Sequence, residues 1–251
     1  MLDMFSLTGQ RALVTGARSG IGQAIAVGLA EAGADLVLLG RESTMDETVA
    51  AVRAVGRDAD TFGADLGDPA AVADVARRIL DRHQIDILVN NAGVILRGRA
   101  ERFAFAEWRT VSSVNLDAVF LLSQACGAEM LQRGAGKVIT VASVLSFQGG
   151  LNVSAYAATK HAVTGLTKSL ANEWASRGVQ VNALAPGYVE TNNTRPLIED
   201  EQRYASIRDR IPAGRWASPR DMVGAAIFLA SRASDYVNGH VLVVDGGWMA
   251  R

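Results

Sequence analysis

The chain has 251 residues, 49% of them hydrophobic and 20% charged, which is enough apolar material for a folded core and too ordinary a charge content for a disordered chain. Lys and Arg total 25 against 26 Asp and Glu, with no long single-sign run, so no broad nucleic-acid or anionic-membrane surface is expected and a small-molecule partner is. Cys126 stands alone and cannot close an internal disulfide; its setting, Leu121-Leu122-Ser123-Gln124-Ala125-Cys126, reads as the apolar face of a helix carrying an inert thiol. Met1-Leu2-Asp3-Met4-Phe5 has an early acid and no basic leader, and no apolar run approaches ~18 residues, so a cytoplasmic chain without a membrane span is expected.

Short β-branched or leucine-rich runs alternate along the chain with helix-compatible segments. The runs are Ala12 to Val14, Leu36 to Leu39, a weaker Thr61-Phe62, Ile85 to Val89, Val138 to Val141, Val179 to Val181 and Val241 to Val244. The alternation predicts parallel strands joined by crossover helices: an α/β fold with a Rossmann-type doubly wound parallel sheet of about seven strands, in one domain over residues 1–251. Ligands of such sheets bind at the carboxyl ends of the strands.

The first run leads directly into Thr15-Gly16-Ala17-Arg18-Ser19-Gly20-Ile21-Gly22, which opens a helix with apolar Ile21, Ile25 and Leu29. Glycines at 16, 20 and 22 let backbone approach a pyrophosphate, and the free N–H groups of the helix start stabilise its charge. At the end of the second run, an acid would accept from an adenosine 2'-hydroxyl and a base would take a 2'-phosphate. Here Gly40 offers no acceptor, while Arg41, aided by Arg18 in the turn, suits the phosphate and leans to NADP over NAD. The other reading has Arg41 stacked on adenine or facing water, with Glu42 serving the ribose. Asp65-Leu66, after the third run, is a candidate adenine contact and Asn91-Ala92-Gly93, after the fourth, a candidate ribose contact; a turn without a ligand explains either.

Ser143 follows the fifth run, and Tyr156-Ala157-Ala158-Thr159-Lys160 comes thirteen residues later in a helix-compatible stretch. The i, i+4 spacing puts phenol and ammonium on one helix face. Tyrosine ionises near 10, so a phenolate at neutral pH needs about 4 kcal/mol of stabilisation. A lysine ammonium at about 5 Å supplies about 3 kcal/mol at an effective dielectric of about 20. A positively charged oxidised nicotinamide would add the rest. Ser143 then holds the reacting oxygen as a polariser and not as a nucleophile. His83, His161 and His240 have no triad or metal-site spacing, so no metal is expected. From Thr191 to Ala217 the strand-helix rhythm stops in a polar, Arg-rich segment, which is read as a lid over residues 191–217 or as a plain surface excursion.

Together these residues resemble the short-chain dehydrogenase/reductase family, from Leu7 to Gly247. The resemblance implies a cofactor turn at Thr15 to Gly22, a structural motif at Asn90-Asn91-Ala92-Gly93, and catalytic roles for Ser143, Tyr156 and Lys160. It also implies nicotinamide contacts at Pro186, Gly187, Val189 and Thr191, and a water held at Asn115 that links the lysine to solvent. Homotetramers are common among such proteins, so one is expected. The second half, including Ala142 to Gly150, Ala171-Asn172-Glu173-Trp174 and Arg210 to Trp216, is similar to the family's sugar-acid dehydrogenases, which implies a secondary alcohol or ketone of an acid sugar such as a deoxygluconate. Those members are usually NAD-linked, in contrast to the lean of Arg41. An acid sugar needs a cation for its carboxylate. Arg97 and Arg215 are the candidates, with Gln148 and Asn152 for its hydroxyls. The alternatives are a 3-oxoacyl thioester reductase, a uronate-derived ketone reductase, and a nucleotide-sensing or scaffold protein; the retention of Asn115, Ser143, Tyr156 and Lys160 argues against the last.

Overall fold

The structure is a computed structural model and describes residues 3–251. Met1 and Leu2, which open the leader reading, lie outside the described residues. Among the described residues seven strands, β1 (Arg11–Thr15), β2 (Asp35–Gly40), β3 (Ala59–Gly63), β4 (Ile87–Asn90), β5 (Gly136–Val141), β6 (Val179–Pro186) and β7 (Val241–Val244), form one sheet. They pair in parallel in the order β3-β2-β1-β4-β5-β6-β7. The order reverses between β1 and β4, and in doubly wound sheets the crevice at such a reversal receives the ligand.

Side chains alternate across the sheet with the period of a strand. Ala12 and Val14 of β1, Leu36 and Leu38 of β2, and Ile87 and Val89 of β4 pack into one core; it is covered by α1 (Gly20–Glu31), α2 (Asp46–Ala54) and α9 (Val223–Ala230). Leu13, Val37, Leu39 and Leu88 face the other way, under α3 (Pro69–Leu80), α5 (Ala118–Arg133) and α6 (Ser154–Trp174). With both faces covered, each fully buried Leu or Ile contributes roughly 1.5–3 kcal/mol, which is why the runs read as continuously apolar. Cys126 lies in the second core at 1% exposure, and burial pushes its thiol up to about 12, so it stays protonated and unreactive.

Local signals set the element ends. Asp68 accepts from the Ala70 N–H ahead of Pro69 to start α3, and Gly134 closes α5 in the left-handed region at φ 70. Two boundaries depart from the sequence reading. Ile85 and Asp86 precede β4, because the Asp86 carboxylate caps the neighbouring strand by accepting from the Arg11 N–H at 2.9 Å. β6 runs beyond Val181 to Pro186, whose missing N–H suits the last position of a strand.

Candidate active site

The cleft at the β1/β4 reversal is built on a backbone clasp. Thr15, the last residue of β1, takes the Asn91 and Ala92 N–H groups on its hydroxyl, each at 2.9 Å, and the Asn91 side-chain amide donates to the carbonyls of Thr15 at 2.9 Å and Gly16 at 3.3 Å. This brings the turn after β1 and the turn after β4 into contact, so a side chain at either Gly16 or Gly22 would strike the Asn91 amide. Asn91, expected as a ribose contact, is thus a clasp whose amide is already engaged, though it still lines the cleft. Ser19 precedes α1 in extended backbone and leaves the helix N–H groups without a side-chain cap. The bare helix start and the missing side chains suit a pyrophosphate, and the residues present fit a dinucleotide.

The cleft, about 260 Å³, is lined by Gly16, Ser19, Gly20, Ile21 and Gly22 from the first turn and by Asn91, Ala92 and Gly93 from the second. Ser143, Tyr156, Lys160, Pro186, Gly187, Val189 and Thr191 are the other expected residues that line it, and Val141, Ala142, Asn192, Asn193 and Thr194 join them without being expected as contacts. Their signal was positional, since Val141 and Ala142 precede Ser143 and the other three follow Thr191. Arg18, Arg41, Asp65 and Leu66 stand off this cleft. Arg41 is 79% exposed in its side chain and lies 4.0 Å from Asp65, while Arg18 reaches Glu42 at 3.4 Å. Both guanidiniums stand beyond the second strand with only screened, solvent-exposed partners, so an incoming phosphate competes with weak pairs.

At the far end of the cleft, α6 delivers the expected Tyr156 and Lys160 pair. Tyr156 is partly buried, Lys160 is 5% exposed, and the Lys160 ammonium lies 5.5 Å from the centre of the Tyr156 ring. The expected phenolate stabilisation is not delivered in this state. The Lys160 ammonium donates to the Val141 carbonyl at 2.6 Å, and burial pushes it down to about 8. Burial also raises the Tyr156 phenol above its ordinary value, against smaller opposing effects from the Ser143 hydroxyl and the charge of Arg97. The i, i+4 spacing does bring phenol and ammonium together, but Coulomb attraction between them is opposed by the desolvation of both groups.

Asn115 sits in a π-helical turn, Ser113–Asp117, between α4 (Phe105–Ser112) and α5. Such turns are uncommon and recur at functional sites. Its side chain accepts from the Val94 N–H at 2.8 Å and donates to the Val94 carbonyl at 2.9 Å and to the Thr159 hydroxyl at 3.3 Å. Asn115 therefore ties the loop after Gly93 to the helix turn that carries Tyr156 and Lys160.

The substrate candidates divide. Arg97 is close enough to favour the Tyr156 phenolate, and it donates to the Asn193 carbonyl at 3.0 Å, bridging to the segment after β6. Arg215 is not brought to the cleft: it forms a two-pronged pair with Asp221, both contacts at 2.8 Å, which holds the Asp221 carboxyl well below the usual carboxylate range. Asn152 adopts φ 60, and its carbonyl accepts from the Gly98 N–H. Gln148 lines a neighbouring pocket. Residues 191–217 hold α7 (Arg195–Ile198) and α8 (Glu201–Arg210) and are fastened by Ile207, Ile211 and Trp216, packed with Val144 and Trp248.

Lys160 binds its proton more weakly folded than unfolded. The unfolded chain therefore holds more protons between pH about 8 and 10.5, and stability rises with pH across that window. The penalty, about 3 kcal/mol, is fully present below pH about 8 and relieved above the unfolded value. Denaturant titrations of the native chain and Lys160→Met should show the variant's relative stability declining by up to that amount across the window; a pH-independent difference would contradict the assigned burial.

The family profile described as enoyl-(acyl carrier protein) reductase matches residues 16–249. A 2-dehydro-3-deoxy-D-gluconate 5-dehydrogenase of Bacillus subtilis is 55% identical over 249 residues, covering 99% of this chain and 98% of that protein. A Beutenbergia cavernae protein described as a candidate NAD(P)-dependent gluconate 5-dehydrogenase, solved with NADP at low occupancy, is 55% identical with a TM-score of 0.97 over 99% of this chain and 100% of its own. A gluconate 5-dehydrogenase from Burkholderia cenocepacia in complex with NADP and tartrate is 44% identical with a TM-score of 0.94, covering 100% of this chain and 99% of that one. With the cleft, the clasp and the Ser143, Tyr156 and Lys160 group in place, this chain belongs to the short-chain dehydrogenase/reductase family and is an oxidoreductase.

Proposed function

We propose that the chain interconverts a secondary alcohol and a ketone on an acid sugar of the 2-dehydro-3-deoxy-D-gluconate or 2-deoxy-D-gluconate type, with NADP as the preferred cofactor. The observation that carries the reading is Tyr156 beside Ser143 and Lys160 at the end of a glycine-floored cleft. The full-length likeness to sugar-acid dehydrogenases favours this substrate class over a thioester.

A dinucleotide held by the Gly16–Gly22 turn and the 91–93 turn would supply or accept the hydride. Tyr156 exchanges a proton with the substrate oxygen, and Ser143 orients that oxygen. With its phenol raised by burial, Tyr156 stands protonated at neutral pH, as the acid that ketone reduction needs. Alcohol oxidation requires that proton to leave. Lys160, turned from the Val141 carbonyl towards the phenol oxygen, favours its departure, and a water near Asn115 passes it to solvent. Arg97 serves the reacting end of the substrate and, through Asn193, the segment that covers it. Residues 191–217 act as the lid, and Gln148 and Asn152 lie on the substrate side.

The reading also carries a cytosolic location and a homotetramer. The exposed Phe105 and Trp108 on α4 and Phe120 on α5 suit burial between copies. Cell fractionation and sedimentation equilibrium test these two parts, and an exported protein or a monomer would remove the corresponding one.

Turnover of 2-dehydro-3-deoxy-D-gluconate and 2-deoxy-D-gluconate against an acetoacetyl thioester tests the substrate class, and preference for the thioester overturns it. In the same assay Tyr156→Phe should still bind NADPH but lose roughly 10²–10⁴-fold in kcat. Arg41→Ala should weaken NADPH selectively; an equal loss with NADH would mean that Arg41 does not read the 2'-phosphate.

A further inference from the structure

A second pocket, about 270 Å³, opens beside the catalytic cleft between the 148–151 loop, Tyr188 and α8. The two share no lining residue, but their walls are neighbours along the chain: Gln148 is five residues past Ser143, and Tyr188 directly follows Gly187. Arg203, Ser206, Ile207 and Arg210 recur along α8 at the spacing of one helix face, and all four line the pocket. No acidic side chain lines it.

The two arginines differ from Arg208 and Arg215, and from Arg195, which donates to the Asn192 side chain at 3.2 Å and does not line this pocket. Arg208 pairs with Asp209 at 2.9 Å and Arg215 with Asp221 at 2.8 Å, whereas neither Arg203 nor Arg210 has a carboxylate within ion-pair distance among the described residues. Arg210 is held flat, its guanidinium carbon 3.8 Å from the centre of the Trp248 ring. Stacking fixes a guanidinium plane and leaves its N–H edge free for an anion. Both charges reach Tyr188, whose phenol they pull down against the effect of burial. Tyr188 is in turn packed edge-on against Trp216 at 5.2 Å and tilted against Trp248 at 4.7 Å, so the polar end of the pocket has a rigid aromatic back.

We propose that Arg203 and Arg210 hold the carboxylate of the substrate, with Gln148 and Ser206 taking adjacent hydroxyls, while the reacting carbon lies between Ser143 and Tyr156. The inference rests on the acid-sugar reading of the active site and answers what that reading leaves open. Of the two cations expected for the carboxylate, Arg215 is committed to Asp221 and Arg97 is partly engaged by the Asn193 carbonyl. The lid thereby carries specificity as well as cover. An acid sugar bridges α8 to the floor of the cleft, and a neutral sugar of the same length does not.

The test is steady-state kinetics of the native enzyme, Arg203→Gln and Arg210→Gln with a 2-deoxygluconate-type acid and its neutral C1 amide. Loss of one charge-assisted contact should raise KM for the acid roughly 10- to 100-fold, with a smaller effect on kcat, and should reduce the preference for acid over amide by a similar factor. Arg203→Gln is the decisive variant, because Arg203 makes no stacking contact that packing of the chain end requires. If the native enzyme turns over the acid and both variants keep KM within about twofold, the inference is overturned and the sugar-acid reading stands. If KM rises equally for acid and amide, the pocket reads shape and not charge, and the inference is again overturned. If the native enzyme turns over no sugar acid, the reading beneath it fails first.

Discussion

The clasp of Thr15 and Gly16 by Asn91 is the contact on which the site depends. Parallel strands diverge beyond their last ladder bonds, and the turns that follow β1 and β4 would otherwise be free to separate. One hydroxyl accepting two N–H groups and one amide donating to two carbonyls close that gap with short bonds inside a covered part of the sheet. Buried polar groups cost free energy when left unpaired, so the pairing of the Thr15 hydroxyl, the Asn91 amide nitrogen and the two backbone N–H groups specifies a single arrangement of the two turns. That arrangement excludes side chains at Gly16 and Gly22 and leaves the start of α1 bare. The phosphate seat is a by-product of how two strand ends are tied.

Burial governs the other end of the cleft in a different way. Tyr156 and Lys160 are placed where desolvation disfavours the charged form of each, so the resting chain holds a neutral phenol and a lysine of reduced basicity. The Val141 carbonyl gives the ammonium its compensating partner, at the end of the strand that leads to Ser143. Because the lysine is parked on that strand and not on the phenol, charge on Tyr156 is not favoured before ligands arrive. In this state an ionised phenol is therefore disfavoured.

Much of this was legible in the residues, for physical reasons. Apolar runs covered on both faces are nearly continuous, so all seven strands stood out, and only the first two residues assigned to β4 fell outside it, where Asp86 turns to cap Arg11. The glycine turn and the Tyr156, Lys160 and Ser143 group were legible because each needs fixed residue types at a fixed spacing. Three things were not. The strength of the lysine's influence depends on desolvation, which has no signature in spacing. The clasp made by the Asn91 amide nitrogen has no sequence signature either, and it comes in addition to the residue's place in the cleft lining. Arg203 and Arg210 carry no sequence signal in a segment dense with arginine, because lining a pocket without a carboxylate partner is a tertiary fact. Arg215 drew attention for the opposite reason, its partner being six residues ahead in a capping box around Ser218 and Asp221.

The π turn at Ser113–Asp117 has a consequence for how α4 and α5 coexist in one continuous rod. An α-helix advances about 100° per residue, so one surplus residue rotates everything after it by roughly that angle. Upstream of the turn the rod presents the exposed Phe105 and Trp108; downstream it must bury Leu122, Cys126 and Met130 under the sheet. No single helical phase satisfies both faces. The extra residue works as a phase shifter, and Asn115 occupies the point of slippage, where the altered ladder turns its amide towards Val94 and Thr159. A lineage that lost that one residue would keep its sheet and glycine turn and still misalign the outer face of one helix with the inner face of the next.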